Sequence, residues 1–538
     1  MPSRHRLPVL LASGLLALAT NASVATTLRI GLASEPTALD PHYHALTPNL
    51  QVTSHLFDPL VTTAPDLTLR PGLAYSFRPL DGSTWEFKLR RNVAFHDGSA
   101  FTANSVIFTL CRILAVVGSP GPYTLFTGSI VAATATDPYT VVIRTATPNP
   151  LLPYELSYVG IVSDTLVAGE KVTFAPGGCK IGADWPHTSD FNSGKNAIGT
   201  GPYRFAEYVK GDYILFKRND RYWGRRPAWE VVRLRTIPAA PARTAALLSG
   251  DVDFIESPPV EHAHRLAGEG SRYSVVSTTT VRVMFIGLDL RERVPPGVSG
   301  TDGTNPFRDE RVRKALSLAI DRRIIVDKVM RGYAAPAEQL LAKNFFGADP
   351  AATPLPHDPE AARRLLAQAG YPRGFKLTLA GTNDRYVNDQ HILLAVAQMW
   401  SKVGVETQLE AMTKSVFFPK ARRGTFGAWL TGWGSLGDMS APLQAVLATR
   451  SKERGYFGTA NQSGHSDPVL DRMLEAARLA MDPRERQELL GSASRHAMQL
   501  MPVIPLHYEQ SSWAMRRGLK YEPRADQITF AFDVTSAP

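Results

Sequence analysis

The sequence predicts an α/β chain of two or three domains. Three observations carry this reading. Stretches with period-two apolar alternation take turns with stretches of helical period along the whole length. The chain has 538 residues, 44% hydrophobic and 20% charged, which is enough for a large core in more than one domain. It shows neither a fixed-period repeat nor a low-complexity tract, so a solenoid or an extended disordered chain is excluded.

The elements follow in order. "MPSRHRLPVLLASGLLALATNASVATT" opens with Arg4, His5 and Arg6, continues through the apolar run Leu7 to Ala19, and ends in small residues. This is the pattern of a secretory signal peptide over 1–25, with Ser23-Val24-Ala25 as the small-x-small site and Ala22 as a second candidate. The apolar run is about 13 residues, too short for a membrane anchor. "TLRIGLASEPTALDPH" predicts an opening strand that runs into a turn. In "STWEFKLRRNVAFHDGSAFTANSVIFTLCRIL", Trp85, Phe87 and Leu89 alternate with Glu86, Lys88 and Arg90 as in a half-buried strand. Asp97-Gly98 marks a turn, and Thr102 caps a helix carrying Val106, Leu110, Ile113 and Leu114 inward. "TVVIRT" predicts another strand, and 170–197 a long loop.

"GTGPYRFAEYVKGDYILFKRNDRYWGRRP" predicts two strands around Lys210-Gly211-Asp212 and then an aromatic loop. "ARTAALLSGDVDFI" reads as a short helix and a strand, and "VRVMFIGLDL" as a buried strand. The stretch 291–305 is turn-rich, a candidate boundary. "FRDERVRKALSLAIDRRIIVDKVMRG" places Val312, Leu316, Ala319 and Ile320 on one helical face; Asp321 caps a second helix that Gly332 ends. "PEAARRLLAQAG" is a helix, "FKLTLAG" a strand, "DQHILLAVAQMWSKVG" a helix and "FGAWLTGW" a strand. One long helix from about Pro468 precedes the strand "VIPLHY".

Charge and motifs exclude several functions. The net charge of +10 falls to +8 without Arg4 and Arg6, and it is dispersed, which argues against nucleic acid as a partner. The two cysteines, Cys111 and Cys179, form one disulfide in an oxidising compartment or stay as two buried thiols; both remain open. The pairs His42-Tyr43-His44 and His262-Ala263-His264 lack a third ligand nearby. His96-Asp97 suggests an acid/base pair, but Asp97-Gly98 is a turn and the imidazole is expected on backbone groups, so catalysis there is set aside. Gly432, Gly434 and Gly437 spell G-x-G-x-x-G, but no second strand ending in an acid follows, so dinucleotide binding is rejected.

"WEFKLRRNVAFHDGSAFTANSVIFTL", "IGTGPYRFAEYVKGDYILFKRNDRYWG", "RDERVRKALSLAIDRRIIVDKV" and "GHSDPVLDRMLEAA" strongly resemble the family 5 extracellular solute-binding proteins. These are the dipeptide/oligopeptide receptors of ABC importers, and the match runs from about Leu28 to Phe530. "GWGSLGD" is similar to the glutathione- and peptide-binding branch. The resemblance implies a periplasmic-binding-protein-like fold in which two lobes close over a ligand beside an extra third domain. It assigns 26–70 and 186–285 to lobe I, 71–185 to the extra domain, 286–510 to lobe II, and 511–538 to a return into lobe I. It further implies a monomeric, exported, periplasmic receptor with no cofactor and no catalysis, which hands a peptide-like ligand to inner-membrane permease subunits; no Cys lies near the cleavage site, so no lipid anchor is expected. A receptor for nickel or a metal–chelator complex is the alternative within the fold. A secreted hydrolase or oxidoreductase is the alternative outside it.

The resemblance also assigns residues. Tyr43, His44 and Thr47 in "LDPHYHALTP" match the family's first ligand-facing loop. Arg385 in "GTNDRYVND" falls where dipeptide receptors carry the Arg that grips the ligand carboxylate, with Asn383 and Asp384 beside it; otherwise it pairs with Asp384 or Asp389. Tyr386 and Trp433 supply flat walls or belong to the core. Gly432 and Gly434 let the main chain approach the ligand. Asp438 is the available carboxylate for a ligand ammonium, although Leu436 occupies the directly aligned position; its other reading is a cap on the next helix.

Overall fold

The computed structural model describes residues 26–167, 171–451, 453–454 and 457–536. The predicted signal peptide, 1–25, lies outside the described residues.

One twelve-stranded sheet runs through both lobes. In the first lobe, strand Thr27–Leu32 lies parallel to Val231–Thr236 and to Phe254–Glu256, and Tyr213–Arg218 and Tyr203–Val209 extend the edge antiparallel. In the second, Lys376–Thr382 lies parallel to Glu406–Met412 and Ala428–Gly434. Two long strands, Tyr273–Leu288 and Val503–Arg516, pair with each other and connect the halves. Their first-lobe ends run beside Phe254–Glu256, and their second-lobe ends beside Ala428–Gly434. The register between them breaks between Thr279 and Val283, at the crossing point. The chain therefore changes lobe ahead of 291–305; that turn-rich stretch folds within the second lobe, where Val298–Ser299 pairs with Lys376–Leu377.

Residues 74–145 form a separate four-stranded antiparallel sheet with the helix Ala103–Ala115. Strand Thr84–Leu89 buries Trp85, Phe87 and Leu89 and half-exposes Thr84, Glu86 and Lys88, as its alternation requires. Each of those three burials contributes about 1.5–3 kcal/mol. Thr102 and Ser105 cap the helix reciprocally. Its apolar face joins the same core as the first lobe. One cluster holds Phe87, Phe108 and Val141 together with Leu28, Ile30 and Phe254. The second lobe has its own core around Met284, Ile286, Leu316, Leu379 and Trp400. Cys111 and Cys179 form a disulfide that ties the helix to the loop beyond the sheet's last strand, 68 residues further along the chain.

Local corrections have local causes. The expected single helix from Pro468 is two, Pro468–Leu479 and Pro483–Leu500, because Asp482 caps a new helix and Pro483 occupies its first turn. The strand at "VIPLHY" continues to Arg516, since it must traverse both lobes. The long loop contains a short helix, Thr188–Asn192. Asp321 caps its helix as expected, and Gly332 has φ +84°.

Candidate functional site

The registers aim both lobes at the crossing. Moving from Phe254 to Glu256 carries the pairing from Met515 back to Trp513, and moving from Ala428 to Gly434 carries it from Leu288 back to Arg282. The carboxyl ends of both sets of parallel strands therefore face the same place, where open α/β sheets bind ligands.

On the second-lobe side, Asp389 shapes the loop that carries Arg385. Its Oδ2 accepts from Thr382 Oγ1 (2.7 Å) and from the backbone N–H groups of Arg385 (3.1 Å) and Tyr386 (3.2 Å). Asp384 accepts from Lys414 N at 2.7 Å, and Asn383 donates its N–H to Met412 O at 3.0 Å. Neither acid takes the Arg385 side chain. That guanidinium lies over the Tyr386 ring, 5.0 Å from its centroid, with no hydrogen bond or ion pair to another described residue. Asn383, Asp384 and Arg385 are exposed.

Tyr386 is half-buried, its hydroxyl 3.3 Å from Thr431 Oγ1 and from Gly432 O. A Cβ on Gly432 would stand 2.5 Å from Met284 Sδ and 3.0 Å from Tyr386 Cε1. This glycine seats the tyrosine on the strand. Gly434 is exposed opposite Arg282. Trp433 packs half-buried against the cluster of Val283, Leu67 and Tyr154, with a buried Nε1 that has no partner. Gly437, at φ +85°, brings the next loop against the first-lobe side, where a Cβ would meet Leu67 Cδ1 at 2.9 Å.

Asp438 does not face the crossing as a free anion. It is 5% exposed, Arg486 grips it through both nitrogens (2.5 and 3.0 Å), and Ser440 donates to it from its backbone N–H (2.9 Å) and hydroxyl (2.5 Å). Of the two readings of this residue, neither is met in full: Met439, not Asp438, is the residue that caps Ser440–Pro442, and it makes no side-chain cap, while Asp438 is consumed by a buried ion pair with Arg486 and by a turn onto Ser440. Its offset from the aligned position has this physical counterpart.

On the first-lobe side, "LDPHYH" is tied to the extra sheet's helix. Arg112 donates to both Asp40 oxygens (2.8 and 2.6 Å) and to His42 Nδ1 (2.8 Å), so His42 Nε2–H donates to Gly160 O at 2.8 Å. Burial, and then the Arg112 charge, pushes the His42 imidazole down to about 3. Tyr43 donates to Gly118 O at 3.1 Å, and His44 Nδ1 meets Thr37 Oγ1 at 3.0 Å. Thr47 is exposed at the start of the helix Thr47–Thr53. Among the described residues no group of three His, Cys, Asp or Glu could hold a metal. His96 binds backbone groups, Gly201 O at 3.1 Å and Gly199 N at 3.3 Å.

Arg282 and Glu509 escape the sequence reading. Arg282 Nε stands 3.1 Å from Glu509 Oε2 where the long strands cross. Burial pushes the Glu509 carboxyl up, against the opposing pull of Arg282 and Arg385. The available signal is that Arg282 is the one charged residue of Tyr273–Leu288 and Glu509 the one acid of Val503–Arg516. A cavity of about 940 Å3 lies elsewhere, between Asp58, Trp223 and Arg524, and none of the predicted ligand residues lines it.

The chain matches the family described as bacterial extracellular solute-binding proteins, family 5, over residues 68–453. The glutathione-binding protein GsiB of Pectobacterium atrosepticum is 28% identical over 493 residues, 89% of this chain and 88% of that one. Among solved structures, the unliganded open form of the periplasmic murein tripeptide-binding protein MppA superposes with a TM-score of 0.79 at 23% identity, covering 95% of this chain and 97% of that one. The binding protein DppA of Helicobacter pylori, in complex with the peptide STSA, gives 0.70 at 21% identity, covering 95% and 98%. Among the described residues no helix is long and apolar enough to cross a membrane. The fold of two lobes on a shared pair of crossing strands and the match over well over half of its length have one reading: the chain belongs to the family 5 bacterial extracellular solute-binding proteins.

Proposed function

We propose that the chain is the periplasmic receptor of an ABC importer for a short peptide or a glutathione-like molecule. It holds its guest between the lobes, alters no bond in it, and presents it to permease subunits of the inner membrane. The observation that carries this reading is the Arg385 guanidinium, stacked on Tyr386 and hydrogen-bonded to no carboxylate among the described residues, although it feels the Glu509 charge from the strands that join the lobes. A guanidinium in that state is ready to take a ligand carboxylate bidentately. The name of the relative GsiB and the peptide-binding neighbours support the ligand class. The register break at Thr279/Val283 supports the motion, because an irregular crossing bends more readily than a continuous ladder. In this reading 1–25 directs export, and Tyr43, His44 and Thr47 form the opposite wall when the lobes close.

The test is mass spectrometry of whatever leaves natively purified protein on denaturation, followed by calorimetry with glutathione and di- and tripeptides. One tight peptide-like ligand at one site per chain is expected. Weak, indiscriminate affinity for unfolded polypeptides, or turnover of a bound peptide, overturns the reading.

A further inference from the structure

A peptide-like guest brings an ammonium as well as a carboxylate, and on lobe closure both leave water. A buried ammonium without an anion is strongly disfavoured. The acids around the crossing differ in how far they are already committed. Asp438 is enclosed by Arg486 and Ser440. Asp389 is consumed by Thr382 and the loop N–H groups that it organises. Asp384 is exposed and holds Lys414 N. Glu256, at the end of the first-lobe strand, accepts from Ala33 N, Gln51 Nε2 and Thr529 Oγ1.

Glu509 is different. It sits on the long strand at the crossing, its backbone carbonyl accepting from Thr280 Oγ1 at 3.0 Å, so its position is fixed by the sheet. Its side chain retains 11% exposure and is matched by Arg282, itself 22% exposed. The Arg385 charge acts on it from the second-lobe loop. A carboxylate has about four acceptor positions, and one guanidinium nitrogen at 3.1 Å together with the Val387 backbone N–H leaves capacity. Cation, anion and cation thus stand around the crossing as Arg385, Glu509 and Arg282, an arrangement complementary to a guest with adjacent negative and positive ends.

We propose that Glu509, held in place by Arg282 at the crossing of the two long strands, is the carboxylate that receives the ligand's ammonium group. Arg282 is its positioning residue. The proposal rests on the receptor reading above and selects, within it, guests with a free amine close to a carboxylate.

The test compares glutathione and dialanine with the Nα-acetylated form of each, by calorimetry, on the wild type and on Glu509→Gln. The wild type is expected to prefer the free-amine forms by at least about tenfold. Glu509→Gln is expected to lose that preference through weaker binding of the free amines alone, with the acetylated forms unchanged. Equal weakening of both forms, or an unchanged preference, overturns the assignment while leaving the receptor reading intact. Failure of the wild type to bind any of the four brings down the receptor reading and this assignment with it. Should Glu509→Gln not fold, a crystal structure of the wild-type complex decides. The amine nitrogen within about 3.2 Å of the Glu509 carboxylate supports the assignment, and an amine paired elsewhere overturns it.

Discussion

The Arg385 guanidinium lies 5.0 Å from the centre of the Tyr386 ring and meets no carboxylate of its own loop, because Asp389 is spent on backbone N–H groups. Replacing it with Ala is expected to weaken ligand binding by about 2–5 kcal/mol. The empty protein's melting temperature should barely move, since the side chain is exposed and buries no partner. Calorimetry and a thermal scan of the same preparation check both halves. Unchanged affinity removes Arg385 from the site.

Asp438 behaves in the opposite way. Asp438→Asn leaves Arg486 buried without its counter-ion, and the empty protein should lose about 3–5 kcal/mol in denaturant unfolding. The double replacement Asp438→Leu with Arg486→Met should recover much of that loss. Should the single variant instead keep full stability and lose only ligand affinity, the structural reading of this acid is wrong.

The bridge between Cys111 and Cys179 closes a segment with a sequence separation of 68 residues. Loop-closure entropy for that length corresponds to about 4 kcal/mol. The variant with Ser at both positions should unfold at correspondingly lower denaturant. Ligand affinity measured well below the transition should be unchanged, since neither cysteine borders the crossing.

His55 makes folding sensitive to acid. Its Nε2 accepts from Ala531 N–H at 3.0 Å and its Nδ1–H donates to Gln51 O at 2.8 Å, so the folded chain needs the neutral ring. Burial lowers its pKa from 6.5 to about 4. Because the folded value is depressed, the contribution is fully present above about pH 6.5 and is lost as pH falls toward 4, about 3 kcal/mol in all. Asp58, raised to about 6 by burial, acts in the other direction, so the comparison must be made against His55→Gln at each pH. The wild type should lose its stability margin over that variant across this window. A constant margin would falsify the assignment.

Much of the architecture was visible in the residues, and the reasons are particular. Trp85, Phe87 and Leu89 announce a one-sided strand because a single face meets the core. Thr102 and Asp321 announce helix starts because capping is local. The break at Asp482-Pro483 is carried by a capping acid and a proline in the first turn, signals that the apolar period alone does not register. At the site, Arg385 and Tyr386 rest on the resemblance; the structure shows the tyrosine seated against Gly432 and the guanidinium over its ring, and their ligand roles stay a proposal. Asp438 illustrates the limit. Its partner Arg486 is 48 residues away, and no local pattern reveals whether an acid is free or already matched. Arg282 and Glu509 were hidden for the same reason, being 227 positions apart in sequence and adjacent only through strand pairing.

The extra sheet and the first lobe share one apolar cluster, with Phe87 and Phe108 packed into the same body as Leu28 and Phe254. The extra sheet is then expected to travel with the first lobe as one body, with the long strands as the joint to the second. Labels placed on the extra sheet and on the first lobe would keep a constant separation through the transport cycle, and only a pair straddling the long strands would report capture.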